Sequence, residues 1–443
     1  MPPTPGAHAS PYSELFTPRG IGHHTEIHHN LRAYIRHYVE TSLAPYAQEW
    51  EIKGGIPEEV RMRHCELGFN IMHPLHVAGL SLPGNVPFGK WDIWCSLIVI
   101  EELTRVGFVG VIWGLGAGNT IGCPPIAKHG TPEQQKRWLP GVAKGDIRFC
   151  LGITEPDAGS DVARIKTTAR RDGDVYIVNG GKKWITNGVW ADFCTAAVRT
   201  GGLGAEGISL LVIPLNATGV TRHRMYNSGV NASGSTLIIF DEVRVPVENL
   251  IGEENNGFKL IMSNFHAERI ALSCASIRLA RVCVEDAYNY AVQRETFGVP
   301  LIERQVIQAK IFEIGLSIEP AYAFLEHLVS VLQQINDKLS DDSTIRAVPI
   351  SIVPAHLISS FQGMIGLLKV TSTRALEKSV REAQQILGGA GYSKSGKGAR
   401  IEQISRDARV HVIGGGSEEI MMGMSIRSFD AIKKRKEKRL AKI

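Results

Sequence analysis

Apolar positions recur at three- and four-residue spacing from Leu31 to Gly145, with short breaks, and this period predicts helices. Residues 58–67 and 91–105 are two of them. The string GTPEQQKRWLP (130–140) carries a helix start: Thr131 suits the cap, Pro132 the first helical position, and Glu133 and Gln134 the first turn. Near residue 147 the pattern changes. DGDVYIVNGGKKWITNG (172–188) alternates in short runs joined by Gly and Asn, and GISLLVIPL (207–215) and STLIIFDEVRVP (235–246) are rich in Val, Ile, Leu and Phe. These predict strands and tight turns. The helical period returns at Gly257 and lasts to the end, apart from the polar stretch NDKLSDDSTIRAVP (336–349), read as a loop. The chain thus divides into an irregular arm (1–30), a helical domain (31–146), a β domain (147–256), a second helical domain (257–430) and a basic tail (431–443).

Composition narrows the function. Of 443 residues, 44% are apolar and 21% charged, which is ordinary folded usage. No apolar run is long enough to span a membrane, since the best, Trp91 to Ala117, is cut by Glu101, Glu102 and Arg105. Net charge is +5, but residues 433–442 hold seven Lys/Arg and one Glu, so the remainder sums to −1. Basicity confined to a tail argues against a nucleic-acid partner. Seven Cys without a C-x-x-C pair point to reduced thiols. His23, His24, His28 and His29 could suggest a metal, but they lie in a stretch without helical period or Cys, so a surface loop and no metal site are expected. Met1 to Gly20 has one Arg and no apolar segment, unlike a signal or transit peptide. Ala441–Lys442–Ile443 is similar to the small–basic–aliphatic peroxisomal tripeptide; a peroxisomal address is the expectation, with mitochondrion or cytosol as alternatives.

Common cofactor motifs are missing. GLGAGN (114–119) puts Asn119 where a dinucleotide fingerprint has its third glycine, and no P-loop, G-x-S-x-G or H-E-x-x-H occurs. What stands out is a series: LGITEPDAGSD (151–161), WITNG (184–188), IIFDEVRVPVENLIG (238–252), QQILGGAGY (384–392) and RDARVHVIGGGSEEI (406–420). In this order and with these gaps they resemble the acyl-CoA dehydrogenase family, from about Leu31 to Arg427.

The resemblance implies an α+β, mostly α fold: an N-terminal helical domain, a central β-barrel and a C-terminal four-helix bundle. It implies FAD, α,β-dehydrogenation of an acyl-CoA thioester, and an electron-transfer flavoprotein or O₂ as acceptor. Carried over residue by residue, it implies that Leu151, Gly152, Ile153, Thr154, Ser160, Trp184, Ile185 and Thr186 line the flavin, with Ser160 also meeting CoA. Arg294, Thr296, Phe297 and Gln305 in QRETFGVPLIERQ, with Gln385, Gly388 and Gly389, would reach the FAD of a neighbouring subunit, which implies a homo-oligomer, tetramer or dimer. Ser417 and Glu419 would also face the cofactor, and His266, Arg269 and Gly416 the substrate. Taken singly, Trp184 also reads as a core aromatic and Arg294 as an exposed helix charge.

One departure matters. Many members carry their catalytic glutamate in a YEGT string; here that position is Gly415. Phe258, Ile261, Phe265, Leu272, Ala275 and Leu279 form an apolar stripe, and its slot between Phe265 and Leu272 holds Glu268. Desolvation there would raise a carboxyl toward the range a general base needs. The bland alternative pairs Glu268 with Arg269, Arg278 or Arg281. The resemblance favours the base, because HAERIAL (266–272) is similar to isovaleryl- and long-chain acyl-CoA dehydrogenases, whose base lies on this helix. A backbone N–H near residue 268 is expected to polarise the thioester carbonyl, and packing at Trp94, Leu97, Ile98 and Leu115 to set pocket depth. Two other classes stay open: a flavin oxidase on the same fold (acyl-CoA oxidase, or nitroalkane oxidase, which should carry Asp at 415), and a non-catalytic flavin protein of the alkylation-response type.

Overall fold

The computed structural model describes residues 24–70, 81–340 and 361–440. Met1–Gly20, His23, residues 341–349 of the polar stretch and Ala441–Ile443 lie outside the described residues.

The N-terminal helices are α1 (Glu26–Tyr38), running into a π-helical turn at Val39–Leu43, then α2 (Ala47–Lys53), α3 (Glu58–Glu66), α4 (Ile93–Thr104), α5 (Val109–Gly122), α6 (Pro124–His129) and α7 (Pro132–Lys144). The start signal of α7 is realised as a capping box. Thr131 Oγ1 accepts from the Gln134 amide at 3.3 Å, and Gln134 Oε1 accepts from the Thr131 amide at 2.9 Å. The arm is shorter than expected, because residues 26–30 are already helical. His28 is buried there: its Nδ1 accepts from the Thr25 amide, and its Nε2 lies 3.1 Å from Asp92, the cap of α4. The partner that orders this stretch is 64 residues away, so no local pattern announces it.

The middle domain is one eight-stranded sheet, not the closed barrel expected. Its strands are β1 (Phe149–Gly152), β2 (Thr168–Asp172), β3 (Val175–Ile185), β4 (Phe193–Arg199), β5 (Ile208–Pro214), β6 (Val220–Arg224), β7 (Thr236–Pro246) and β8 (Leu250–Ile251). The order is β6-β7-β3-β2-β4-β5-β8, with β1 parallel to β4. Among the described residues the edges β6 and β8 do not pair. β8 is two residues long, and β6, sequence VTRHR, is polar and mostly exposed.

The C-terminal domain begins with α8 (Gly257–Gln293). A hairpin of β9 (Glu295–Thr296) and β10 (Val299–Pro300) follows, then α9 (Gln305–Ser340), α10 (Gln362–Leu387), α11 (Ala399–Ile413) and α12 (Glu418–Leu440). Residues 336–340, expected in a loop, complete α9. The largest apolar core joins Ile277, Leu279, Ile314, Leu328, Leu368 and Leu376 of this bundle to Ile93, Trp94 and Val109 of the first domain and Val230 of the second. A buried ionic cluster sits beside it. Glu101 accepts from Arg32 at 2.8 Å and from Arg278, and Arg281 lies 3.5 Å away. All seven cysteines are free and buried. Among the described residues no helix is long and apolar enough to cross a membrane.

Helix α5 docks on the sheet through glycine. A Cβ at Gly114 would sit 2.4 Å from the Ala232 carbonyl oxygen, at Gly118 2.3 Å from that of Phe149, and at Gly122 2.8 Å from that of Cys150. Only a bare backbone allows this approach. The helix breaks at Gly116, and on both sides of the break Trp113, Ala117 and Thr120 stay half-buried.

Candidate active site

Two segments of the sheet domain meet to form a wall. β1 runs into Ile153, Thr154 and Glu155, and the end of β3 carries Lys182 to Ile185. The Lys183 amide donates to the Thr154 carbonyl at 2.8 Å. Fully buried Lys182 donates to Glu155 at 2.7 Å and to the Ile153 carbonyl at 3.1 Å. Glu155 also accepts from the Lys166 and Thr167 amides. A buried charge pair is tolerated when its remaining positions are hydrogen-bonded, as here. Gly152 fits because a Cβ would lie 2.6 Å from Cys194 Sγ. Leu151 is half-buried and Ile153 and Ile185 buried; they set the wall from behind.

The turn after β3 presents the wall's polar and aromatic groups. Trp184 (φ 59) and Asn187 (φ 61) both adopt left-handed backbone, a strain typical of functional sites. Trp184 is 49% exposed, unlike a core aromatic, with Lys183 Nζ 4.5 Å over its ring. Thr154 and Thr186 are half-buried beside it and Ser160 is exposed. An accessible indole flanked by hydroxyls and irregular backbone fits a flat heterocycle with polar edges. Asn187 fastens this turn to α5: its Oδ1 accepts from the Gly118 amide at 2.6 Å, and its Nδ2 donates to the Trp113 carbonyl at 3.0 Å.

Glu268 lies on α8, which reaches the same helix through Asn264. Asn264, one turn earlier, donates to Glu268 Oε1 at 2.7 Å and to the Ile121 carbonyl of α5 at 3.2 Å. Burial pushes the Glu268 carboxyl up to about 8, against the opposing pull of Arg269 and Lys128. Burial in turn brings Lys128 down to about 8. The three arginines that could have paired with Glu268 are engaged elsewhere. Arg278 and Arg281 serve Glu101, while Arg269 donates to the Gly415 carbonyl at 2.9 Å and approaches His266 and Met424. Burial, then the nearby Arg269, holds His266 down at about 4, so it is neutral near pH 7.

Gly415 (φ 69) and Gly416 (φ 110) form the facing loop, and a Cβ at Gly415 would lie 3.0 Å from Leu272 Cδ1. Lys369 anchors the loop through the Val412 and Gly416 carbonyls. Ser417 is half-buried just before α12, and exposed Glu419 in its first turn is held below the usual carboxylate range by its own backbone N–H and then the Ser417 side chain. One expectation is corrected: residue 268 is mid-helix, so its N–H belongs to the helical ladder and cannot polarise a ligand carbonyl. The residues expected to set pocket depth divide between a core and a cavity. Leu115 is buried in the N-terminal core, and Trp94, Leu97 and Ile98 line a small cavity with Arg32 and Glu101.

The remaining candidates form a separate set. Arg294 and Phe297 are exposed, Phe297 at 98%, and Gln305, Gln385, Gly388 and Gly389 are exposed too; Thr296 is half-buried in β9. Lys397 donates to Gln293 at 3.0 Å, which brings the 388–397 segment beside the hairpin. This set begins beyond the end of α8, about 26 Å along the axis from Ser276. Among the described residues no hydrogen bond or ion pair joins it to the Trp184 wall.

The sequence reading did not single out Glu155, Lys182, Asn187, Asn264 or Lys128. Only Asn264 had a local signal, its four-residue spacing from Glu268. The others act through partners distant in sequence.

The comparisons agree with this geometry. The acyl-CoA dehydrogenase N-terminal, middle and C-terminal domain families match residues 25–146, 150–243 and 255–429. The chain is 45% identical over 409 residues to acyl-CoA dehydrogenase AFT10-1 of Alternaria alternata, covering 91% of each protein. A probable acyl-CoA dehydrogenase from Mycobacterium abscessus superposes with a TM-score of 0.78 at 34% identity, over 91% of this chain and 99% of that one. An acyl-CoA dehydrogenase from Bacillus anthracis, solved in complex with FAD, gives 0.81 at 25% identity, over 94% and 68%. Domain by domain and over nearly its whole length, the chain belongs to the acyl-CoA dehydrogenase family.

Proposed function

We propose that the protein is a FAD-dependent dehydrogenase of acyl-CoA thioesters with Glu268 as its base. The observation that carries this reading is a half-buried carboxylate, held by Asn264 and free of any ion pair among the described residues, on the helix whose Arg269 and Leu272 meet the Gly415 loop. Thr154, Trp184, Ile185 and Thr186 would hold the flavin ring, and FAD, when bound, supplies the hydride acceptor. Glu268 takes the proton from the α-carbon; its burial makes the carboxylate basic enough to do so near neutral pH. Arg269 keeps the Gly415 loop in place. Asn187 ties the flavin wall to α5, so ring and base share one frame.

The exposed set at Arg294, Phe297 and Gln385 supports a second copy completing the cofactor site. So do the apolar side chains of Val306, Phe312 and Leu316, exposed on α9. We therefore propose a homo-oligomer. The electron acceptor, an electron-transfer flavoprotein or O₂, is part of the same proposal.

The test is an anaerobic titration of the yellow protein with acyl-CoAs of increasing length. Bleaching of the flavin is expected for the wild type and is abolished by Glu268→Gln. Normal bleaching in that variant would remove Glu268 from the reaction. Trp184→Ala with Thr186→Ala should purify with less flavin; full occupancy would dismiss the wall.

A further inference from the structure

We infer that Glu51 and Asp407, buried carboxylates from the first and third domains, are positioning residues for the flavin wall: together they fix the turn at 230–233 on which Asn187 is seated. The inference rests on the reading of the Trp184 wall as the flavin's seat and deepens it. Asn187 stands three residues after Trp184, and its amide and its Nδ2 both donate to the Ser233 carbonyl, each at 2.9 Å. Ser233 closes a short 3-10 turn, Asn231–Ser233, between β6 and β7. Its own amide and Oγ donate to the Val230 carbonyl at 3.1 and 2.7 Å. The other amides of the turn point away from it. Val230 donates to Asp407 Oδ1 at 2.8 Å, Asn231 to Glu51 Oε1, and Ala232 to Glu51 Oε2 at 3.1 Å. Three successive N–H groups thus end on two side chains, one from α2 and one from α11. Gln403 bridges the pair, its Nε2 2.8 Å from Asp407 and 3.3 Å from Glu51. Asp407 Oδ2 also accepts from Val109, the first residue of α5, at 3.1 Å. The turn is therefore registered against the same helix whose Gly118 amide and Trp113 carbonyl hold Asn187.

Two unfavourable features show that this junction is held against resistance. Val230 is β-branched and buried, yet its backbone is left-handed, with φ 50 and ψ 40. Such strain persists where surrounding contacts over-determine it, and it gathers at functional sites. The second feature is the pair itself. Asp407 is fully buried and Glu51 nearly so. Burial, then the nearby Glu51, push the Asp407 carboxyl up to about 7. Burial raises Glu51 as well, against the pull of the Ala232 and Asn231 amides and of Arg406 and Arg224. Apolar residues of similar volume would fill a buried site at less cost than two carboxylates. What carboxylates add is direction, because each oxygen accepts a backbone N–H along a preferred line. That holds a turn in register where apolar contacts would let it slide.

The experiment measures the FAD dissociation constant of the full-length protein by equilibrium dialysis, and the visible circular dichroism of the flavin that stays bound. Asn187→Ala should raise the constant about tenfold, the worth of one hydrogen bond. Asp407→Asn and Glu51→Gln keep the side-chain shape but turn an NH₂ group toward a backbone N–H. Each should raise the constant by a similar factor and change the dichroism in the same sense as Asn187→Ala. Because the carboxylates act through Asn187, Asp407→Asn combined with Asn187→Ala should stay near the loss of the single variants, whereas independent sites would multiply to about a hundredfold. A multiplied loss overturns the inference. So do FAD binding and dichroism that match the wild type in Asp407→Asn and Glu51→Gln. The two carboxylates lie in different domains, so if one variant does not fold the other carries the test. If Asn187→Ala itself binds FAD as the wild type does, the reading of the Trp184 wall falls instead.

Discussion

The base and its partner can be separated by pH. A carboxylate accepts a proton only when ionised, so a Glu268 raised to about 8 makes kcat/KM climb tenfold per unit below that value and level off above it. Asn264→Ala removes the donor 2.7 Å from Oε1. A hydrogen bond to a charged group is worth about 1.5–3 kcal/mol. Water reaching the half-buried carboxylate restores part of this, leaving a net loss of about 1 kcal/mol. At 1.36 kcal/mol per unit, the midpoint moves up by about 0.7. The variant should be about fivefold slower than wild type at pH 7 and equal to it on the alkaline plateau. Stopped-flow flavin reduction at low substrate, between about pH 6 and 10, reads both limbs. A midpoint that stays or falls, or an equal loss at every pH, would refute the claim that Asn264 tunes the carboxyl. Glu268→Gln supplies the baseline, lacking the limb and reduced about 10²–10⁴-fold or more.

Gly118→Ala forces a Cβ to 2.3 Å from the Phe149 carbonyl oxygen and 2.8 Å from Asn187 Oδ1, so calorimetry should show about 1–3 kcal/mol of lost stability and the protein should retain less flavin. Lys182→Met leaves Glu155 buried without its cation and should cost about 3–5 kcal/mol in denaturant unfolding. Adding Glu155→Gln should recover much of that; a single variant as stable as wild type contradicts the pairing. Gly415→Glu with Glu268→Gly should not regain activity, because a side chain at φ 69 costs about 1–2 kcal/mol and meets Leu272. Reduction above the Glu268→Gly level would mean that the loop can rebuild itself.

Much of the site was legible because its signals are local. Thr131 and Gln134 announced a capping box, and the vacancy in the apolar stripe located Glu268. TEPDAGSD and WITNG identified the wall together. What escaped depends on contacts across the chain. Lys182 sits in GGKKW, which reads as a polar turn, and only Glu155 explains its burial. The sheet does not close because β6 and β8 fail to pair, a choice that alternation within each strand does not record. GLGAGN was judged only as a nucleotide fingerprint. Its i, i+4 glycines, extended to Gly110 and Gly122, were the visible sign of a helix pressed against backbone.

That helix has an unequal tolerance for change. On one side Gly114, Gly118 and Gly122 admit nothing larger, and their neighbours are main-chain oxygens that no rotamer can move aside. On the other, Trp113, Ala117 and Thr120 are half-buried and end in side-chain atoms. Mutational drift is therefore channelled. The glycine side holds the rod at a fixed height above the sheet, while the opposite side can be resculpted without lifting it. Most members of a combinatorial library confined to residues 113, 117 and 120 should therefore still fold and emerge yellow.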